Sequence, residues 1–205
     1  MKFIKQWWRS MTSKSNKKGH IFFISGPSGV GKGTVIDLLR ERHPEFVFPP
    51  SCTTRDPRPG EVEGETYYYI SKEEFEAKIK AGDFLEYAIV HGGNYYGTLR
   101  DKLLTPAAEG KIVIREFDVQ GFSQAREVLD RDLFTSIFIR PEGDDLDLLV
   151  ERIHARSPIS EEEVTKRVES MKKELALVDI YDHQIISKHQ DIDGLYGAVE
   201  GVIKV

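Results

Sequence analysis

Short apolar runs alternate along the chain with stretches whose apolar residues recur at helical spacing. Ile21-Phe22-Phe23-Ile24-Ser25 is a compact apolar run, Gly26 to Gly31 follow as a turn-rich loop, and Val35, Ile36, Leu38 and Leu39 then fall on one helical face. This order predicts strand, loop, helix. Further runs at Ile112-Val113-Ile114, Ser136-Ile137-Phe138-Ile139 and Gln184-Ile185-Ile186 predict strands buried on both faces, with helices between them. Alternation of this kind implies an α/β fold around a mainly parallel sheet with helices on either side.

Two segments break the pattern. Between Ser51 and Thr105 arginines, prolines, glycines and the run Tyr67-Tyr68-Tyr69 frame a single helix, signposted by a capping box at Ser71 and Glu74 and by an Ile70 to Phe75 staple. After Arg140-Pro141, residues Leu146 to Ala155 predict a helix and Pro158 marks a loop. A second capping box at Ser160 and Glu163 opens a helix lined by Val164, Val168, Met171, Leu175 and Val178. The plan is one sheet-based core, 20–50, 106–141 and 179–205, carrying two insertions, 51–105 and 142–178. No internal repeat is visible.

With 205 residues, 40% of them hydrophobic, the chain can bury one substantial core. A net charge of -5 argues against indiscriminate nucleic-acid binding, so any phosphate site is local. One cysteine, Cys52, excludes an internal disulfide framework and a multi-cysteine zinc site, which suits a reducing compartment and makes cytoplasm the expectation. No apolar run reaches the roughly 18 residues of a membrane span, so no integral membrane association is expected. Residues 1–19 stand apart as a basic tail, with Lys2, Lys5, Arg9, Lys14, Lys17 and Lys18 around Trp7 and Trp8. A mobile tail is the reading; membrane-surface, acidic-partner and targeting roles are its alternatives.

The most informative stretch is Gly26-Pro27-Ser28-Gly29-Val30-Gly31-Lys32-Gly33-Thr34, set between the first strand and the first helix. Glycines let backbone N–H groups turn inward around an anion, the helix N-terminus adds positive potential, and Lys32 adds a cation for the terminal phosphates. This is a triphosphate cradle of the P-loop type. The hydroxyl residue usual after the lysine, a magnesium ligand, is replaced by Gly33, so metal ligation is left to Thr34, water, ATP oxygens or a carboxylate.

A second anion site is suggested by Arg55 and Arg58, three apart on the proline-stiffened loop Thr53-Thr54-Arg55-Asp56-Pro57-Arg58, where guanidinium forks could grip a monophosphate. In isolation such a pair is more often a solvated basic loop. The wider pattern decides. Ser25 to Lys32, Thr53 to Arg58, Gly93-Asn94-Tyr95-Tyr96-Gly97-Thr98 and Phe117-Asp118-Val119-Gln120-Gly121 stand in the order and spacing of the guanylate kinases, and the chain resembles that family over about residues 20 to 205.

The resemblance implies a P-loop NTPase three-layer fold with a mixed β/α GMP-binding lobe at 51–105 and a helical lid at 142–178. It implies transfer of a phosphoryl group from ATP, with Mg²⁺, to GMP and to dGMP, serving purine nucleotide recycling. It assigns Arg55, Arg58, Tyr67 and Tyr96 to the GMP phosphate, and Ser51, Glu86, Thr98 and Asp118 to guanine. Chemistry agrees: guanine offers N1–H and N2–H₂ as donors and O6 as acceptor, matching a carboxylate and hydroxyls. Arg152 and Arg156, four apart on one helix, and Arg167 on the next would sit over the ATP phosphates in the lid; Ser157-Pro158 replaces the glycine usual after the second arginine. Near the C-terminus, Ile186-Ser187-Lys188-His189 lacks the family's asparagine and aspartates, so no adenine contact is assigned. A homo-oligomer is compatible with the sequence. The competing readings are a scaffold-type binding module that has lost catalysis and a kinase for another monophosphate.

Overall fold

A computed structural model of the chain describes residues 19–90, 92–156 and 160–204, apart from the Arg156 side chain. The chain forms two compact units, one of Glu45–Arg115, Gln120–Phe134 and the described residues up to Ile21, the other of Phe22–Pro44, Glu116–Val119 and the chain from Thr135 on.

Strands β1 (His20–Ser25), β6 (Ile112–Glu116), β7 (Phe134–Pro141) and β8 (His183–Ser187) form one sheet in the order β6-β1-β7-β8. β7 and β8 are parallel, in register from Ile137 opposite His183 to Pro141 opposite Ser187. Ile21, Phe23, Ile24, Ile137, Phe138 and Ile139 are fully buried, the signature of strands covered on both faces. β8 departs from that expectation. It is the last strand of the sheet, with Ile185 and Ser187 buried and Ile186 53% exposed. An edge strand with cover on one face alternates, and a three-residue apolar run is too short to reveal it.

The second unit carries helices α1 (Lys32–Arg42), α5 (Leu146–Arg156), α6 (Glu161–Leu175) and α7 (Ile192–Ile203). α1 buries Val35, Ile36 and Leu39, three of the four positions that its spacing singled out. α6 opens where its capping signal stands, with Ser160 Oγ accepting from the Glu163 N–H at 3.3 Å. It ends at Leu175, so buried Val178 belongs to a separate 3₁₀ turn, Val178–Ile180, rather than to the helix.

The first unit holds a mixed sheet, β2 (Ser51–Thr53), β3 (Tyr67–Tyr69), β4 (Phe84–Ile89) and β5 (Tyr95–Leu99), in the order β3-β2-β5-β4. β2 and β3 are parallel, while β5 runs antiparallel to both β2 and β4. Helix α2 (Lys72–Ala81) starts at Ser71, whose hydroxyl accepts from the Glu74 N–H at 3.0 Å, and stops at left-handed Gly82. Ile70 packs on the buried cluster of Cys52, Phe75 and Phe84, as the staple predicts, and Phe75 stacks on Phe84 at 4.1 Å. Helices α3 (Arg100–Ala108) and α4 (Val119–Val128) complete the described α-helices, α4 beginning at the last residue that the second unit contributes there.

Candidate functional site

The loop after β1 turns on glycines in the left-handed half of backbone space, Gly26 at φ 146°, Gly29 at 82° and Gly31 at 107°. At Gly26 the need is absolute: a Cβ would stand 2.2 Å from the Ile139 carbonyl oxygen. Gly31 caps α1 without a side chain, which leaves the first-turn N–H groups of the helix open to an anion. Lys32 Nζ donates to the carbonyls of Gly26 at 2.6 Å and Pro27 at 3.1 Å, and lies 3.7 Å from Glu116. Its cation is therefore held at the loop. A Cβ on Gly33 would meet nothing within 4 Å, so no steric demand explains that glycine.

Arg152 reaches from α5 toward the same loop, its Nη1 3.4 Å from the Gly29 carbonyl and 3.5 Å from Ser187 Oγ, and its Nη2 3.3 Å from the Lys188 carbonyl. These long contacts leave the guanidinium available to a stronger acceptor. A cavity of about 400 Å³ opens beside it, lined by Gly29, Gly31, Thr34 and Arg152 together with residues 187–192 and Leu195. The segment that lacked a family signature thus lines the cavity next to the phosphate loop. Arg167 lies elsewhere on its own helix, with Nε donating to Glu163 at 3.0 Å across one turn. The Arg156 side chain falls outside the described residues. Glu174 on α6 went unnoticed in the sequence. Burial raises its carboxyl above the ordinary value, and both Lys32 and Asp118 act on it electrostatically. Asp118 itself is exposed.

In the first unit, the loop after β2 already holds an anion, the carboxylate of Glu61. Arg55 Nη1 and Nη2 donate to its two oxygens at 3.0 and 2.8 Å, the Arg58 N–H donates at 2.7 Å and the Tyr69 hydroxyl at 2.8 Å. The Arg55 fork first, and then the Arg58 N–H, hold the Glu61 carboxyl down at about 2. The same pair raises the Arg55 guanidinium above its already high value. Partial burial and then the Glu61 carboxylate push Tyr69 up to about 12. Arg55 also donates through Nε to the Tyr96 hydroxyl at 3.0 Å and through Nη1 to the Asp56 carbonyl at 2.6 Å.

This changes the expected picture in two ways. Arg55 has its fork on Glu61, and of its five N–H groups one on Nη2 is left for a phosphate. Tyr69, which is not among the expected phosphate ligands, joins the network. Tyr67 stands edge-on to Tyr96 at 5.7 Å with the Arg55 guanidinium 5.5 Å from its ring centre, and the Arg58 side chain is exposed. The four residues expected to hold a monophosphate therefore lie on one loop and the adjoining strands.

Three of the four residues expected around a base, Ser51, Glu86 and Thr98, join a second network in this unit, while Asp118 belongs to the other unit. Thr98, fully buried and opposite Glu86 in the β4 to β5 pairing, donates its hydroxyl to Glu86 Oε1 at 2.6 Å. Arg115, at the end of β6, donates through Nη2 to Thr98 Oγ1 at 2.9 Å and to Ser51 Oγ, and through Nη1 to the Pro49 carbonyl at 2.8 Å. Gly97 permits this closeness: a Cβ there would come within 2.9 Å of the Glu86 carbonyl and of Phe84. Arg115 carries no signal in the sequence beyond being a charge at the end of an apolar strand.

A family profile described as guanylate kinase matches residues 18–205. The chain belongs to the guanylate kinase family. It is 42% identical over 190 residues to a guanylate kinase of a Nostoc species, covering 92% of each chain. It is 45% identical to one of Clostridium tetani, covering 91% of this chain and 84% of that one. The crystal structure of a guanylate kinase from Anaplasma phagocytophilum matches with a TM-score of 0.70 at 29% identity, over 92% of this chain and 86% of that one. The α/β fold with its parallel sheet core is that of these P-loop enzymes. Among the described residues no group of His, Cys, Asp and Glu is arranged to cage a metal ion, and no helix is long and apolar enough to cross a membrane.

Proposed function

We propose that the chain catalyses transfer of the terminal phosphoryl group of ATP to GMP, with ATP on the loop 26–34 and GMP on the lobe 51–105. The observation that carries this is the pairing of two prepared sites in one guanylate kinase chain. One is a glycine cradle with Lys32 folded onto it; the other is a loop whose Arg55, Arg58 and Tyr69 donors converge on an anion. Family membership supports ATP as donor and GMP as acceptor.

The acceptor needs no covalent activation, because a nucleoside monophosphate with a second pKa near about 6 is largely a dianion at neutral pH. Catalysis then consists of alignment and charge neutralisation along an in-line path. Gly26 to Thr34 bind the phosphates of ATP through backbone N–H groups, with Lys32 on the terminal ones. Arg152 and Arg167 supply lid cations over the transferring group, with Arg156 as a third, and Lys32, Arg55, Arg152 and Arg167 carry the catalytic charge. For Arg167 this requires exchanging Glu163 for phosphate. Arg55, Arg58, Tyr67 and Tyr96 hold the GMP phosphate, while Ser51, Glu86, Thr98 and Asp118 read guanine. Adenine, lacking N1–H and O6, would leave buried groups unpaired at about 1 to 3 kcal/mol each. The cavity lined by residues 187–192 is assigned to the base of ATP.

Bound together with ATP, Mg²⁺ would neutralise charge on the phosphate oxygens, with Thr34 or a carboxylate and water left to complete its ligands. Thr34, exposed at the cavity, is the side-chain hydroxyl nearest in sequence to the place of the missing ligand. The enzyme is assigned to the cytoplasm, with dGMP as a second acceptor.

ADP formation from ATP and magnesium in the presence of GMP, dGMP, AMP, CMP or UMP tests the assignment. GMP should give rapid turnover and AMP at least about a hundredfold less kcat/KM. Lys32→Ala and Glu86→Ala should each abolish most of the GMP-dependent rate. Folded protein without GMP-dependent turnover would instead leave a binding module.

A further inference from the structure

We infer that Arg115 is a specificity-determining positioning residue: by donating to Ser51 and Thr98 it turns their hydroxyl hydrogens away from itself, that of Thr98 to Glu86 and that of Ser51 toward the base, and so favours a base carrying an oxygen at its 6-position. The inference rests on the assignment of Ser51, Glu86 and Thr98 to the acceptor base.

A guanidinium has donors only and stays protonated, whereas a hydroxyl both accepts and donates. Arg115 Nη2 is bonded to Ser51 Oγ and to Thr98 Oγ1, so both oxygens must accept from it. Each hydroxyl hydrogen is thereby turned elsewhere. For Thr98 the acceptor is on the page, Glu86 Oε1 at 2.6 Å. Ser51 Oγ has no other hydrogen-bond partner among the described residues, which leaves its hydrogen to point at whatever the pocket binds. The guanidinium is anchored for this by the Pro49 carbonyl at 2.8 Å, two residues before Ser51.

The result is a pocket edge with one sign. Ser51 can give its hydrogen to a carbonyl oxygen; one of its two lone pairs is taken by the Arg115 cation, which polarises the hydroxyl and favours donating to a carbonyl over accepting a second hydrogen from an amino group. Glu86, receiving Thr98, remains acceptor-only and complements the amino and N1–H side of the base. Without Arg115, either hydroxyl could rotate to accept, and the 6-oxo preference would relax. Arg115 need not touch the base; it acts through Ser51.

The test compares wild type with Arg115→Met, Ser51→Ala and the double variant, using GMP, IMP and 2-aminopurine riboside monophosphate. GMP and IMP carry the 6-oxygen; the 2-aminopurine compound keeps the 2-amino group and lacks that oxygen. Dissociation constants by calorimetry and turnover are both read. Arg115→Met should weaken GMP and IMP by about tenfold, the effect of one lost hydrogen bond to a charged network, through Kd and KM more than kcat. Affinity for the 2-aminopurine nucleotide should change less than about twofold, and the GMP effect should shrink in the Ser51→Ala background, since the two residues act as a unit. If Arg115→Met does not fold, Arg115→Gln replaces it, because glutamine fills similar space yet both donates and accepts, and should relax the preference in the same way. Equal loss for all three nucleotides, no loss at all, or full additivity with Ser51→Ala overturns the inference. Wild type that binds GMP but does not phosphorylate it would sink the kinase assignment alone, while wild type that does not bind GMP sinks both.

Discussion

Glu61 shows how much a single side chain can organise. One carboxylate collects Arg55, the Arg58 N–H and the Tyr69 hydroxyl, and its ionised form is favoured down to about pH 2. The loop is thus shaped for an anion before any nucleotide arrives, with the Arg55 guanidinium fixed in plane and one N–H still to offer. Glu61→Ala should raise the KM for GMP on the order of tenfold and lower kcat less, because orientation of Arg55 is lost while the phosphoryl chemistry is untouched. Steady-state kinetics with GMP varied at saturating ATP measures it, and an unchanged KM would show that Arg55 needs no such anchor. No signal in the sequence pointed to Glu61. It is one acid among several on a polar loop, and only folding brings its oxygens to the guanidinium.

At the scale of elements, α1 and α7 are fastened by a charged clasp that the apolar pattern does not contain. Glu200 Oε1 accepts from Lys204 Nζ at 2.8 Å, from the Tyr196 hydroxyl at 2.7 Å and from His43 Nε2 at 2.7 Å, while the Arg42 guanidinium lies 4.2 Å from the centre of the Tyr196 ring. Together these hold the Glu200 carboxyl down at about 2, with Lys204 the largest influence. A carboxylate whose pKa is depressed on folding stabilises the native state above its ordinary value, and that contribution is lost as pH falls from about 4.5 toward 2. Glu200→Gln should therefore melt below wild type at pH 7, and the gap in Tm should narrow steadily between pH 5 and about 2.5. A gap that stays constant over that range would mean the ionised form contributes nothing. The aromatic stack of the first unit responds differently. Phe75 is fully buried against Phe84, so Phe75→Ala should cost about 3 to 5 kcal/mol in denaturant unfolding with no pH dependence of its own.

At the scale of the whole chain, the family match begins at residue 18, and the basic tail precedes it, outside the described residues. Deletion of residues 1–17 should leave kcat and KM for both nucleotides within about twofold, since no assigned ligand lies there. A large loss on truncation would show that the tail takes part in the enzyme. The chain could be read so far because its strongest signals are local. The glycine loop, the capping serines at 71 and 160, and the buried strands at 21–25 and 137–139 each depend on residues a few positions apart.

The sequence by itself determined the alternation of strands and helices and the glycine loop with its lysine, because backbone propensity, periodicity and turn chemistry act over short spans. Tertiary structure alone decided which charges meet. Arg55 is tied to Glu61 and Arg115 to Ser51 and Thr98, and β8 stands at the edge of its sheet. A long charged side chain can reach many partners of similar energy, and strand order depends on crossovers between distant segments. Neither is encoded in local pattern; both follow from the packing of the folded chain.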